Sequence, residues 1–348
     1  MSKTETKQKI KLKNMTLSEL ESYLTALGEP KFRAKQVFAW IHRGVTRFEE
    51  MTDLSVALRD RLALEADLDH LVPVRIQASK QDGTRKYLFR LADGALIESV
   101  LMKYQHGNSI CISSQAGCRM GCRFCASTLN GLERDLTAAE LLEQILAIER
   151  DSGEKVSNVV VMGTGEPFDN YQNLSRFLQL IHAKEGKNLS YRSITVSTCG
   201  LVPRMLEFAR DFPQVNLAVS LHGPNDEIRG QIMPINKSYS VEEVIEASRQ
   251  YVSLTGRRIT FEYSLMRGVN DRPKDAKELA KLLAGLNCHV NLIPLNAVKE
   301  AAFQGTDRKE VLEFQHILEQ ARIQVTVRRE LGSDIDAACG QLRLNVQG

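Results

Sequence analysis

The chain has 348 residues, 43% hydrophobic and 26% charged, with a formal net charge of +3, the balance of a globular protein with one large domain and one small one. No apolar run reaches the roughly 18 residues of a membrane-spanning helix, and the opening Met-Ser-Lys-Thr-Glu-Thr-Lys has no apolar signal-peptide core. Seven cysteines, an odd number with three crowded into eight positions, argue against a secreted disulfide framework and for metal and redox chemistry in a reducing cytoplasm.

Residues 1–14 are Lys-rich and expected to fray. Helices are predicted near Leu17–Leu27, opening at Thr16, near Phe32–His42 and near Val56–Ala66, with Gly28, Pro30 and Gly44 between them. Charge concentrates here: residues 1–50 hold 10 Lys/Arg against 6 Asp/Glu, while the rest of the chain is nearly balanced. From Lys31 to Arg47 there are five basic residues and no acid, interleaved with Phe32, Phe38 and Trp40. Basic groups among aromatics suit a phosphate backbone and exposed bases. Phe38, Ile41 and Val45 also fall at helical intervals, which makes those side chains core. Residues 1–70 therefore read as a basic helical accessory module that binds RNA.

Residues 71–97 read as a strand-rich connector. Val74, Ile76, Lys86–Arg90 and Leu96–Met102 have strand character, with Asp82-Gly83 and Asp93-Gly94 as turn signals. From residue 98 to 348, strands and helices alternate. Thr137-Ala-Ala-Glu140 and Ser240-Val-Glu-Glu243 are capping boxes, and Pro203 suits a first helical turn. Strands are predicted at Val156–Met162, Ser193–Ser197, Val215–Ser220, Arg258–Ser264, His289–Ile293 and Ile323–Val327, with helices between. Near-continuous apolar strands joined by helices should be parallel and buried on both faces. The fold class is α/β. Six such units are fewer than a full barrel needs, so a partial (β/α)6 TIM-like barrel is expected, with chemistry at the strand C-terminal ends.

Cys118, Cys122 and Cys125 form a C-x3-C-x2-C triplet on one short loop. Three thiolates are one fewer than a closed zinc or iron–sulfur site takes. A 4Fe–4S cluster held this way leaves one iron open to a chelating molecule, the arrangement that cleaves S-adenosylmethionine (SAM) to a carbon radical. Met162-Gly-Thr-Gly-Glu-Pro167 follows a strand; its glycines allow close backbone approach, and Glu166 could hold an ammonium group. Ser197, Ser220, His222 and Asn296 occupy similar positions on later strands. Cys339 lies on a polar terminal loop, an exposed place for a thiol, and Cys111 lies at the barrel mouth. Cys199 and Cys288 read as inert core residues.

Cys111-Ile-Ser-Ser-Gln-x-Gly-Cys-x3-Cys-x2-Cys, Gly163-x-Gly-Glu-Pro, Ser220-Leu-His, Met233-Pro-Ile-Asn and Asp334-Ile-Asp-Ala-Ala-Cys-Gly-Gln together resemble the RlmN/Cfr family of radical-SAM methyltransferases. The resemblance runs from about Glu98 to Gln341, and the basic helical module matches the family's accessory domain. It implies a 4Fe–4S cluster on Cys118, Cys122 and Cys125, and SAM on Gly165, Glu166, Ser197, Ser220, Leu221, His222 and Asn296. It implies a methyl-carrying Cys339, a resolving Cys111 and Glu98 as proton acceptor. Without the resemblance, Glu98 would read as a solvated strand-edge charge.

The implied reaction uses two SAM molecules per methylation. One methylates the Cys339 thiolate; the other yields the radical that activates this methyl group for addition to an adenine carbon. Cys111 then attacks the Cys339 sulfur, releasing the methylated base and leaving a disulfide. The implied substrates are adenosines of 23S rRNA and of tRNA, methylated at carbon 2, with an electron donor as a further partner and no membrane. The rival within the family is methylation of carbon 8 of the same rRNA adenosine. The rival from another class is a non-catalytic, zinc-containing RNA-binding protein.

Overall fold

Helix starts after Thr16, Ser55, Thr137, Asn225 and Ser240 are set by side chains that satisfy the otherwise unpaired first N–H groups. The computed structural model describes residues 9–105, 107–295, 303–329, 331–332 and 334–335. In it the Thr16 hydroxyl accepts from the Glu19 N–H, and the Glu19 carboxylate accepts from the Thr16 N–H at 2.8 Å. The same reciprocal box opens the helices after Thr137 and Ser240, as their sequences predict.

The described residues divide into two compact units. The first comprises Met1–Val72, Leu136–Lys155 and Gln172–Ser190. A two-residue strand β1 (Ile10–Lys11) pairs in parallel with β2 (Ala66–Asp67) and closes a module of α1 (Leu17–Ala26), α2 (Phe32–His42) and α3 (Val56–Glu65). Leu20, Leu24, Val37, Phe38, Ile41, Leu58 and Leu62 are its buried apolar side chains. Helix α4 (Ala138–Ser152) and, from Gln172 onward, α5 (Tyr171–His182) belong to this unit. Glu143 on α4 meets the Lys13 ammonium at 2.6 Å, with both side chains sealed from water. Its other oxygen accepts from Arg150 at 2.5 Å and from the Leu71 N–H at 3.2 Å. A buried pair is tolerated only with such full satisfaction.

The second unit comprises Pro73–Asp135, Val156–Tyr171 and Tyr191–Gly348. Strands β3 (Pro73–Ala78), β4 (Arg85–Arg90), β5 (Leu96–Tyr104) and β6 (Gly107–Cys111) are antiparallel neighbours. Gly83 and Gly94 take φ of +74° and +92° in the first two turns, the conformation that their Asp-Gly signals require. The short hairpin of β7 (Gln115–Gly117) and β8 (Leu132–Asp135) follows, framing the cysteine triplet. Then come β9 (Val156–Val161), β10 (Ile194–Thr198), α6 (Val202–Asp211), β11 (Asn216–Ser220), α7 (Asp226–Ile232), α8 (Val241–Thr255), β12 (Ile259–Leu265), α9 (Pro273–Leu282), β13 (Cys288–Pro294), α10 (Arg308–Gln320) and β14 (Gln324–Val327).

All but the two short pairs join one ten-stranded sheet, ordered β14-β13-β12-β11-β10-β9-β6-β5-β4-β3. From β6 to β14 neighbours are parallel and linked by helical crossovers, which is the expected partial (β/α)6 barrel. The strand-rich stretch before it supplies the antiparallel end of the same sheet.

The strands differ from the expectation in one respect. They are not buried equally on both faces. Register places Cys111, Val160, Thr195, Ser197, Ala218, Ser220, Glu262 and Asn291 on one face. Val159, Val161, Ile194, Val196, Leu217, Val219, Phe261 and Val290 share the other and are at most 1% exposed. Ser197, Ser220 and Asn291 on the first face are only half-buried. The apolar face makes the core, and the polar face is free for chemistry.

His42 on α2 offers a pH test of the first unit. Its ring packs 4.3 Å from that of Phe38, and its Nδ1 accepts from the Lys187 N–H. Burial, reinforced by the Lys187 and Lys13 charges, lowers its pKa to about 3. Between about pH 6.5 and pH 3 the unfolded imidazole binds a proton that the folded one refuses, so stability falls as pH falls. His42→Gln should flatten unfolding free energy against pH by about 1.4 kcal/mol per unit across that window, measured by urea denaturation.

Candidate active site

The site lies where the parallel strands end. After β6 the backbone of Ile112–Gln115 runs against the loop that follows β9. The Gly163 N–H donates to the Ile112 carbonyl at 3.0 Å, and the Ser114 and Gln115 N–H groups converge on the Thr164 carbonyl. The approach requires glycine. A Cβ on Gly163 would lie 2.7–2.8 Å from the backbone of Ile112 and Ser113. One on Gly165, where φ is +109°, would lie 2.6 Å from the Gln115 Cβ and 2.7 Å from the Ser114 Oγ.

The Ser113 hydroxyl ties a third strand into this contact. It donates to the Glu98 carbonyl on β5 at 2.7 Å and accepts from the Thr164 N–H at 3.0 Å. Glu98 is thereby fixed just beyond Cys111, with both residues on one face of the sheet. It is not a solvated strand-edge charge. Its side chain is 5% exposed and meets the Lys86 ammonium of β4 at 2.9 Å. The strand has neighbours on both sides, so its charge must be paired internally. Sequence reasoning missed Ser113 and Lys86. Lys86 lies diagonally opposite Glu98 on the neighbouring strand, a relation visible only once register is known.

Glu166 is buried and heavily coordinated. Its carboxylate accepts from the Cys199 N–H at 2.7 Å and the Phe168 N–H at 3.0 Å. Its own N–H donates to the Gln115 side chain at 2.8 Å. Burial raises its pKa despite these donors. The Cys199 thiol is buried, as expected of a core residue, while its backbone N–H orients Glu166. The Gln115 side chain also reaches Asp135 and Asp169, and Asp169 pairs with Arg119 between the first two cysteines of the triplet.

Among the expected SAM-contacting residues, Ser197 is the last but one of β10 and Ser220 ends β11, on the polar face. Leu221 is fully buried. His222 follows with φ of +56°, a conformation that non-glycine residues seldom adopt. Its Nδ1 accepts from the Ser264 N–H at 2.9 Å, and its carbonyl accepts from Asn270 at 2.7 Å. Burial lowers its pKa to about 3, so the ring is neutral and its Nε2 carries the proton. Phe124, inside the cysteine triplet, stands edge-on to this ring at 4.9 Å. Asn296 and Cys339 lie outside the described residues. The segment entering the Cys339 motif is tied to the β3–β4 turn, where Asp82 accepts from the Gly332 N–H and Asp334 from the Lys80 N–H.

The three cysteines of the triplet share a loop bounded by β7 and β8. A Cβ on Gly117 would fall 2.0 Å from the Gly131 carbonyl oxygen, which also accepts from the Cys118 N–H. The Thr128 hydroxyl donates to the carbonyls of Cys122 and Cys125, holding the turn between them. Cys118 and Cys122 are buried and Cys125 half-buried. Burial pushes the Cys118 thiol up to about 12, and neighbouring Cys125, Glu166 and Asp169 push the same way. Burial and the other two thiols raise Cys122 as well. Three crowded, soft donors of this kind become thiolates only against multiple positive charge, which iron–sulfur clusters supply. Among the described residues, no three His, Cys, Asp or Glu side chains converge to hold a single ion. Cluster thiolates need no such convergence, since each binds a different iron. The donor set fits a cluster.

A family model described as the radical SAM superfamily matches residues 112–283, and one for a ribosomal RNA large subunit methyltransferase N-terminal domain matches residues 10–68. The chain is 56% identical to the probable dual-specificity RNA methyltransferase RlmN of Lachnospira eligens over 95% of each chain. It is 48% identical to the protein of the same name in Clostridioides difficile, over 97% of this chain and 98% of that one. The crystal structure of a radical SAM methyltransferase from Sphaerobacter thermophilus superposes with a TM-score of 0.92 at 47% identity, covering 95% of this chain and 98% of that one.

The glycine contact sets a stability test. Gly163→Ala should destabilise the protein by about 1–3 kcal/mol, because only backbone faces the added methyl group and it cannot yield. Gly230→Ala, on α7 with only an Asn236 nitrogen at 3.7 Å, should be neutral or stabilising. Chemical denaturation of the two variants side by side makes the comparison.

Proposed function

The chain belongs to the RlmN family of radical-SAM RNA methyltransferases, and from that premise we propose that it methylates carbon 2 of adenosine in 23S rRNA and in tRNA. Membership implies a 4Fe–4S cluster and SAM. Cys118, Cys122 and Cys125 would hold the cluster, and the Gly165–Glu166 turn with Ser197, Ser220, Leu221, His222 and Asn296 would hold SAM. When bound, the pair supplies an electron, a carbon radical and the methyl group, with two SAM molecules consumed per methylation. The observation that carries the reading is the junction of three elements at one sheet end. The Gly163–Glu166 turn and the face bearing Glu98 and Cys111 meet through Ser113 and Thr164, and the Thr164 hydroxyl lies 3.4 Å from that of Ser127, two residues beyond the triplet.

The chain's own residues divide the remaining work. Cys339 carries the methyl group to the base. Glu98 accepts the proton lost from the adenine carbon, its buried charge compensated by Lys86 at 2.9 Å. Cys111, at the end of β6, attacks the Cys339 sulfur, so that a disulfide forms as the bond to the product breaks. An external reductant restores the thiols, and a low-potential electron donor serves the cluster. The work takes place in the cytoplasm, where thiols stay reduced. The names of the RlmN relatives support carbon 2 over carbon 8, and the cluster-type donor set disfavours a zinc-only binding protein.

The deciding experiment is anaerobic reconstitution with rRNA and tRNA transcripts, followed by nucleoside mass spectrometry. A methyl group on carbon 2 is expected. One on carbon 8, or colourless protein lacking iron and sulfide, would reject the reading. Cys111→Ala should accumulate a covalent RNA adduct on the Cys339 peptide after nuclease trimming, and Cys111→Ala with Cys339→Ala should carry none.

RNA is the proposed occupant of the α2 surface. Phe32 there is 57% exposed under the Arg33 guanidinium, and Arg43 lies 4.7 Å over the Trp40 ring. Phe38, Ile41 and Val45 are buried, so core and contact residues share one segment. Charge reversal at Arg33, Lys35 and Arg43 should weaken RNA binding at least tenfold at low salt and flatten its salt dependence. A filter-binding titration over a range of salt checks this, with SAM cleavage as the control for an intact site.

A further inference from the structure

The Met233-Pro-Ile-Asn236 motif has no part in the chemistry so far, yet it holds a fully buried arginine in place. Arg229 on α7 is fully buried. Its Nη1 donates to the Asn236 Oδ1 at 2.8 Å and the Tyr239 carbonyl at 3.2 Å, and its Nη2 to the Cys199 carbonyl at 2.6 Å. Its Nε is buried with no partner. Every acceptor is neutral, and no carboxylate of the described residues lies within ion-pair distance of it. Asn236 is held in turn, donating to Asp226 Oδ1 at 3.0 Å. Gly200, with φ of +98°, admits the guanidinium, since a Cβ there would lie 3.2 Å from Nη2.

An arginine cannot shed its proton, and a buried charge without an ion-pair partner is costly to keep out of water. The surroundings show where the counter-charge belongs. Ile232 and Met233, one turn beyond Arg229, form a single buried cluster with Cys122 and Cys199, against which Cys125 and Phe124 pack. The Ile232 carbonyl accepts from the Arg123 N–H, inside the triplet, at 2.9 Å. Asp226, the carboxylate whose charge acts on Arg229, is exposed and linked to it only through the Asn236 amide, and Glu166 is already engaged by two backbone N–H groups. The Cys122 and Cys199 thiols are the other groups that act on the guanidinium.

We infer that Arg229, clamped by Asn236, is the fixed counter-charge of the thiolate-ligated cluster and raises its reduction potential. The inference rests on the proposed binding of the cluster by Cys118, Cys122 and Cys125. A 4Fe–4S core with three thiolates carries about one net negative charge when oxidised and about two when reduced. Reduction adds one electron from a low-potential one-electron donor; no bond forms or breaks and no proton moves. A nearby cation in a region of low dielectric stabilises the more negative state more strongly. Arg229 is thus a positioning residue that acts through the cluster.

The test is a redox titration of the anaerobically reconstituted full chain without SAM. Dithionite and mediators poise the potential, electron paramagnetic resonance reads the reduced cluster, and iron and sulfide are assayed in parallel. In Arg229→Gln the reduced-to-oxidised ratio at a fixed potential should fall at least tenfold, which is about 59 mV for a one-electron couple. Arg229→Lys, which keeps the charge, should stay within about threefold of wild type. Asn236→Ala keeps the arginine but frees its fork, and should shift the ratio the same way by a smaller factor. It also provides the reading should Arg229→Gln fail to fold. An unchanged ratio in Arg229→Gln at wild-type iron content overturns the inference. So does an unchanged ratio with weakened SAM binding, which would make Arg229 a contact of the SAM carboxylate. If Arg229→Gln takes up no cluster, an unchanged ratio in Asn236→Ala overturns it. Wild-type protein that takes up no iron and sulfide would instead defeat the reading on which it stands.

Discussion

The contact of two backbones, Ile112–Gln115 against Gly163–Glu166, is the constraint from which the rest of the site follows. Side-chain-free residues at positions 163 and 165 let the two loops come close enough for direct hydrogen bonds. The Ser113 hydroxyl then uses the same contact to fix β5 at the Glu98 carbonyl while it accepts from the Thr164 N–H. Glu166 emerges from the contact already oriented, with its N–H held by Gln115 and its carboxylate by Cys199 and Phe168. Catalytic geometry needs this kind of fixing, since small misplacements of reacting groups cost large factors in rate.

The sheet resolves a conflict between stability and chemistry by dividing its faces. One face is valine, isoleucine, leucine and phenylalanine, sealed from water. The other carries serine, threonine, asparagine and glutamate, which a conventional parallel sheet would not tolerate under helices. A six-unit barrel leaves that face open enough for hydroxyls to remain unpaired with protein. Among the described residues, the side chains of Ser197 and Ser220 engage no protein partner. A cost in sheet burial thus becomes a supply of hydrogen-bonding groups for ligands.

Much of this could be read from the residues. Capping boxes at Thr137 and Ser240, Asp-Gly turns at Gly83 and Gly94, and the alternation of strand and helix are local signals, and each appears where its chemistry demands. The two-faced character of the strands was hidden because single serines and threonines in a run such as Ile-Thr-Val-Ser-Thr do not interrupt its apolar appearance. The β7–β8 hairpin was invisible because three- and four-residue strands have no period to detect. Lys86 and Arg229 were missed for a deeper reason. A lone basic residue in a strand or helix reads as solvated, and only three-dimensional placement shows that it is buried. Glu98 misled in the same way until its partner was located.

Comparison of the buried charges in the two units separates architecture from function. In the first unit Lys13, Glu143 and Arg150 satisfy one another, with backbone groups taking the remaining lone pairs, so the network is closed. In the second, Lys86 closes on Glu98, but Arg229 ends on neutral carbonyls and an amide, and the triplet thiols are driven toward their protonated forms. Evolution has no stability reason to retain a buried guanidinium without an anion, because apolar replacement of buried charge is often neutral or better. A guanidinium without an ion pair beside three crowded thiols suits the cluster proposed for this loop. A cluster held there would bind the folded state alone, and its binding free energy would add to folding. On that proposal, the groups that weaken the second unit taken alone are the same groups that would give a bound cluster its environment.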